Sequence, residues 1–174
     1  MGFEDYERQD DDAREDEAEV ELDPDERDPD EEPGDDGEKD KGRKPLSEYS
    51  SKEIGDEGES LAASYLERRG YVLVDRNWSS SAGEVDIIAE DDDETVLLEV
   101  KTRLALGEDA DTMPELAVDA KKQRRYRRLA LLYLADHPHV SSVRFDVIAI
   151  NLVAERTARL RHLIGAFSWD DNAS

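Results

Sequence analysis

Residues 83–103 read GEVDIIAEDDDETVLLEVKTR. Two apolar runs, VDIIA and TVLLEV, flank the acidic segment DDDE at 91–94. This pattern predicts two antiparallel strands joined by a hairpin turn. The anomaly is the presence of Asp86, Glu99 and Lys101 within those strands. A carboxylate among Val, Ile and Leu risks desolvation, which is costly unless something pairs with it. Side chains alternate across a strand, so Glu84 and Asp86 share one face, and Glu99 and Lys101 share one face of the next strand. Folding the hairpin about 91–94 brings Asp86 near Glu99 or Lys101. Clustered carboxylates suit a hard divalent cation such as magnesium, which offsets their repulsion and burial. A lysine beside them can position or deprotonate an attacking water, or stabilise charge developing on a phosphate. Asp followed by Glu-x-Lys is thus a minimal set for metal-assisted phosphodiester hydrolysis. The same spacing also fits an ordinary structural ion pair on an edge strand.

Outward from this hairpin the chain alternates helix and strand signals. On the N-terminal side, Ile54, Leu61, Ala62, Tyr65 and Leu66 recur near helical spacing and Gly70 supplies a stop, predicting a helix over about 53–69. YVLVDRNW gives a short strand at 71–76, and SSSAG a loop. Residues 104–116 carry Gly107 and Pro114 and are expected to form a loop. AVDAKKQRRYRRLALLYLAD, 117–136, is the clearest helix. Asp119 is a candidate N-cap, the apolar stripe is Tyr126, Leu129, Leu132 and Tyr133, and Pro138 ends it. VRFDVIAINL and ARLRHLIGAF complete the pattern as strands. Helix, three strands, helix, two strands describes an α/β fold with a mixed sheet and helices covering its faces.

The chain has 174 residues, a formal net charge of −24 and a pI near 4.3. Residues 1–49 hold 7 Lys/Arg and 23 Asp/Glu, a net of −16, so most of the excess lies in the first quarter. Residues 1–47 contain almost no large apolar side chains. They cannot bury enough surface to offset their ordering entropy, and a disordered acidic tail is expected there, followed by one domain over 48–174. The tail is either a solvating segment of a salt-adapted protein or a DNA-mimicking arm over a basic site. Scattered acids on the remaining chain, EDDDE at 90–94 and GEDAD at 107–111, suit a halophile. Cysteine is absent, which excludes disulfides and thiolate metal sites. No apolar run reaches membrane-span length, and residues 1–16 have neither a basic nor an apolar signal region. A cytoplasmic protein without membrane association is expected.

Overall acidity argues against a polyanionic partner. The stretch KKQRRYRR contradicts it locally. Lys121, Lys122, Arg124, Arg125, Arg127 and Arg128 concentrate positive charge on about two helical turns, as phosphate contacts require. The bland alternative is a salt-bridge belt for neighbouring acids. Arg103, just past the Glu-x-Lys strand, could meet a phosphate as well. His137 and His139, flanking Pro138, are expected to be exposed. His162 is expected to make a structural hydrogen bond, Asp146 to pair with an arginine, and Trp78 to cap the core beside the loop entering the site.

GEVDIIA followed by LLEVKTR resembles the PD-(D/E)XK nuclease signature of the restriction-endonuclease-like fold. The order GDEGESLAASYLERRGY, RNW, GEVDIIA, LLEVKTR, KKQRR, RFDVIAI and HLIGAF resembles, more narrowly, the YraN family over roughly residues 53–168. The resemblance implies a mixed central sheet flanked by helices. It implies Asp86 and Glu99 as metal ligands and Lys101 as the catalytic lysine. Glu59 corresponds to a helix acid that related nucleases bring to the metal and the catalytic site, and Glu84 to a supporting Glu before the Asp. The proline of the generic signature is absent; Val85 stands before Asp86. The implied activity is a Mg2+- or Mn2+-dependent endonuclease acting on DNA, with branched or flap substrates in view. A resolvase would work as a homodimer, since two symmetric cuts need two sites. The competing reading is a non-catalytic nucleic-acid-binding module on the same fold.

Overall fold

The computed structural model describes residues 13–21, 44–107, 116–155 and 157–169. In chain order they form β1 (Arg14–Glu21), a short 3-10 turn (Leu46–Glu48), α1 (Ser51–Arg68), β2 (Val72–Ser80), β3 (Gly83–Asp91), β4 (Glu94–Leu104), α2 (Ala120–Asp136), β5 (Val143–Ala154) and β6 (Thr157–Ile164). The six strands make one sheet in the order β1-β6-β5-β4-β3-β2. Only the β4–β5 pair is parallel, and it is the pair separated by α2; all other neighbours are antiparallel. This is the mixed α/β sheet expected from the alternation of helix and strand signals.

Local chemistry explains the boundaries. Ser50 caps α1 in a reciprocal box: its Oγ accepts from the Glu53 N–H, and Glu53 Oε2 accepts from the Ser50 N–H at 2.7 Å. The helix ends at Arg68, two residues before Gly70, whose φ of +92° favours glycine. Asp119 caps α2 through an N–H···O bond from Lys122, 2.8 Å. The β3–β4 hairpin turns at Asp92 and Asp93 between the paired Asp91 and Glu94.

Each sheet face carries its own core. Ala62, Tyr65 and Leu66 of α1 pack on Ile87, Leu98, Ile148, Ile150 and Leu160. Tyr126, Leu129 and Tyr133 of α2 pack on Val85, Ile88, Leu97, Phe145 and Val147. The α2 stripe differs from expectation at one place. Leu132 is 37% exposed, and Ala130 takes the buried position. Positions 126, 130 and 133 share a face at helical spacing, while 132 is rotated away from it. Trp78 does pack against the α2 core, edge-on to Tyr133. Asp146 is fully buried, accepting two hydrogen bonds from Arg144 and one from the Gly165 N–H and lying 2.9 Å from His162 Nε2. Both the arginine partner and the structural role of His162 match the sequence reading.

The larger difference lies near the N-terminus. Residues 14–21, expected to belong to the disordered tail, form β1 and pair along their whole length with β6. REDEAEV alternates: Ala18 and Val20 turn into the α1-side core, and Val20 is 6% exposed. Glu15, Glu17 and Glu19 turn to the other face. Leu46, also within 1–47, is completely buried and its N–H donates to the Glu155 carboxylate. The rest of that expected tail, 1–12 and 22–43, lies outside the described residues, as do 108–115 of the expected loop.

Candidate active site

The two central hairpin strands do not stay paired. The β3–β4 ladder stops at Ile87↔Leu98, whereas β3 stays paired with β2 as far as Gly83↔Ser80. Beyond that point β4 continues beside β5 alone, and β3 and β4 splay apart. The residues at the fork are Asp86 and Glu99. Strand alternation slips here too. Val85 and Ile88 both belong to the α2-side core, while Ile87 and Ala89 belong to the α1-side core. A strict period of two would put 85 and 87 together. Asp86 sits at the slip, and its carboxylate fills the gap left in the ladder: Oδ2 accepts the Val100 N–H at 2.7 Å.

Burial pushes the Asp86 carboxyl up to about 7; the Val100 hydrogen bond and the Lys122 charge oppose this, and the charges of Glu99 and Glu59 add to it. Glu99 is 8% exposed and held from three sides. Tyr126 donates its hydroxyl to Oε2 at 2.7 Å, the Lys122 ammonium contacts Oε1, and an Arg125 guanidinium nitrogen lies 3.7 Å from Oε2. Burial, and then the neighbouring Glu99 charge, raise the Tyr126 hydroxyl far above its ordinary range, so it stays a neutral donor.

Glu59 approaches from α1. Gly58 makes this possible: a Cβ there would fall 1.7 Å from Thr102 Oγ1, so only glycine lets the helix lie this close to β4. Glu59 itself accepts from Asn77 Nδ2 at 3.1 Å, and acts on Asp86 through its charge. Asn77 holds a positive φ of 55° at the middle of β2, the αL region that Asn tolerates better than most residues.

Of the residues singled out from the sequence, Asp86 and Glu99 meet at the fork, with Glu59 near. Lys101 faces the same side as Glu99 but donates from Nζ to the Ala117 carbonyl at 2.9 Å. The ammonium on the carboxylates belongs instead to Lys122, read from the sequence only as a phosphate contact. A signal for it was present: 122, 126, 129 and 133 lie on one face of α2, so Lys122 extends the buried stripe by one turn. Tyr126, read only as core, is likewise a site residue. Glu84 is exposed, pairs across to Ser79 and stands apart from the fork. Lys121, Arg124, Arg125 and Arg128 are exposed along α2, with Arg125 beside Gly83 of the hairpin. Arg127 turns away and donates to the Ser168 carbonyl at 2.9 Å. Arg103 donates from Nε to Asn151 Oδ1 at 2.9 Å on the face that carries Glu99.

Asp86 and Glu99 offer hard oxygen donors whose mutual repulsion and burial a divalent cation would relieve. Among the described residues no three Asp, Glu or His side chains gather as a ready-made cage. A magnesium-type site does not need one, since that ion commonly takes one or two carboxylates and completes its shell with water and substrate phosphate. The donor set therefore fits Mg2+ or Mn2+. Among the described residues no helix is long and apolar enough to cross a membrane.

Residues 58–150 match the model of the Uncharacterised protein family UPF0102. Three relatives carrying the family's name show how far the likeness runs. A protein of Rhodococcus jostii is 47% identical over 115 residues, 66% of this chain and 95% of the relative. One of Geobacter sulfurreducens is 42% identical over 126 residues, 71% of this chain and 96% of its own length. One of Thermodesulfovibrio yellowstonii is 42% identical over 115 residues, 66% and 96% of the two chains. The matched span holds most of α1, the forked hairpin and the basic helix, and on that ground this chain belongs to the UPF0102 family, the one to which its YraN-like motifs pointed.

Proposed function

We propose that the chain is a metal-dependent endonuclease with a PD-(D/E)XK-type site on a restriction-endonuclease-like fold, hydrolysing phosphodiester bonds in DNA. The observation that carries this reading is the fork: Asp86 and Glu99 come close enough for the Glu99 charge to act on Asp86 where β3 and β4 part, and Lys122 and Arg125 of the basic helix lie against Glu99. Asp86 and Glu99 would hold Mg2+ or Mn2+, with Glu59 adding charge from α1. The ion would supply charge neutralisation at the scissile phosphate and activation of water. Lys122 and Lys101 lie on either side of the Glu99 carboxylate's surroundings, one on it and one two residues along its strand. Lys122 is the better placed to meet an attacking water or a phosphate oxygen, because its ammonium already stands at the carboxylates. Tyr126 and the Val100 N–H keep the two acids oriented. Lys121, Arg124, Arg125 and Arg128 would contact the DNA backbone without reading sequence.

One observation favours the non-catalytic reading, in which the fold binds nucleic acid only. Lys122 and Tyr126 between them engage both Glu99 oxygens, so that carboxylate is already paired without a metal. Calorimetric titration of Mg2+ and Mn2+ into wild type and Asp86→Ala, at high potassium chloride, separates the two. The same samples are assayed on flap, junction and linear DNA. Metal heat and cleavage that both disappear in Asp86→Ala support the nuclease. DNA binding with neither metal heat nor cleavage in wild type would replace it with the binding module.

A further inference from the structure

Strand β1 places glutamates against arginines. The register runs straight across the sheet: Lys101↔Ala149↔Arg161↔Glu17 and Arg103↔Asn151↔Arg159↔Glu19. Paired residues share a face, so Lys101, Arg103, Arg159 and Arg161 all lie on the side that carries Glu99. Arg161 is two strands from Lys101, about 10 Å at the usual strand spacing. Glu17 Oε1 lies 3.2 Å from Arg161 Nε, Glu15 contacts the same guanidinium, and Glu19 Oε2 lies 3.7 Å from Arg159 Nε. The Glu17 contact is at ion-pair distance but off the hydrogen-bonding line, since Arg161 Nε is buried without an aligned acceptor.

We propose that the β4–β5–β6 face bearing Arg103, Arg159 and Arg161 is a track for a nucleic-acid backbone leading from the candidate active site, and that Glu15, Glu17 and Glu19 occupy it as a built-in competitor. The proposal rests on the nucleic-acid reading above for its choice of polyanion. Its own support is geometric. Glu17 and Glu19 stand directly opposite Arg161 and Arg159, and Glu15, opposite Leu163, reaches the Arg161 guanidinium diagonally. A phosphate accepts from arginine in a bidentate manner that these contacts do not achieve. Exchange needs no unfolding. Ala18 and Val20 anchor β1 on the opposite face, and Asp16 ties it to Arg69 at 3.6 Å, so the glutamates can swing aside while the strand stays.

The test compares fluorescence-anisotropy binding of a labelled DNA duplex, in EDTA, across a salt series. Wild type is set against E15Q/E17Q/E19Q and against E90Q/D93N/D136N, which removes the same charge from exposed acids on β3, the β3–β4 turn and the end of α2. We expect the β1 variant to bind about tenfold tighter at low salt and its log–log salt slope to steepen by about two, one for each arginine that exchanges a glutamate for a phosphate. The control should move far less, and adding Arg159→Ala and Arg161→Ala to the β1 variant should abolish the gain. If the triple Gln chain does not fold, Glu17→Gln alone should steepen the slope by about one. Wild-type binding with no difference between the β1 variant and its control overturns the competitor and leaves the nuclease reading standing. No DNA binding by any of the chains overturns both.

Discussion

Replacing Asp86 by asparagine should stabilise the fold while destroying the proposed activity. Its carboxyl is pushed from an ordinary 3.8 to about 7, chiefly by burial. At about 1.36 kcal/mol per pH unit, ionising it in the folded state costs up to about 4 kcal/mol of stability. Asparagine is never ionised and can still accept the Val100 N–H through its carbonyl. The charged hydrogen bond is already part of that shift, so the net gain above pH 7 is up to about 4 kcal/mol. The sign follows from proton counts. Between pH 4 and 7 the folded state holds a proton that the unfolded chain has released, so wild-type stability falls as pH rises through this window and levels off above it. Asp86→Asn lacks this term. The gap between the two chains should be near zero at pH 4 and full at pH 8. Urea unfolding in EDTA, followed by tryptophan fluorescence at several pH values, reads it directly. An Asp86→Asn chain that is less stable than wild type at pH 8, or a gap that does not change with pH, would refute the burial argument. With saturating Mg2+ the order should invert, because only the carboxylate gains from the cation.

Three further outcomes are expected. Lys122→Met removes the ammonium that competes for Glu99, so Mn2+ should bind more tightly by calorimetry, while cleavage at saturating metal falls about 100-fold. Asp146→Ala leaves the buried His162 Nε2 and the Gly165 N–H without their acceptor and removes two hydrogen bonds from Arg144, which keeps Asp91 and Glu94; it should cost about 3–5 kcal/mol in urea unfolding, with no change in metal affinity per folded molecule. His162 and Arg144 hold the Asp146 carboxyl below its ordinary value despite burial, so this contribution is present at neutral pH and is lost as pH falls below about 4. Gly58→Ala drives a methyl into Thr102 and should lower stability by about 1–3 kcal/mol, with partial rescue by Thr102→Ala in a double-mutant cycle.

Much of the architecture was legible because it is written in local chemistry. Gly70, Asp119 and the period of the apolar residues are short-range signals, and they placed α1 and α2 within a few residues of their observed ends. The approach of Asp86 to the Glu-x-Lys strand was legible as well, with Glu99 or Lys101 as its neighbour, since a tight turn at 91–94 leaves little freedom of register. Strand β1 was not. Its composition forbids independent structure, and only a row of arginines on β6, some 140 residues later in the chain, makes an acidic strand acceptable at that edge.

By itself, then, the sequence determined the α/β class, both helices, the order of the strands after α1 and the acids at the fork, because helical and strand periods act over a few residues. The tertiary structure alone decided which lysine reaches Glu99. The sequence put Lys101 beside Glu99 and read Lys122 only as a phosphate contact. The slip in alternation at Asp86, the splay of β3 from β4, and the docking of α2 through Tyr126 bring Lys122 to the carboxylate and turn Lys101 toward Ala117. Those are properties of packed elements, and no spacing along a single strand encodes them.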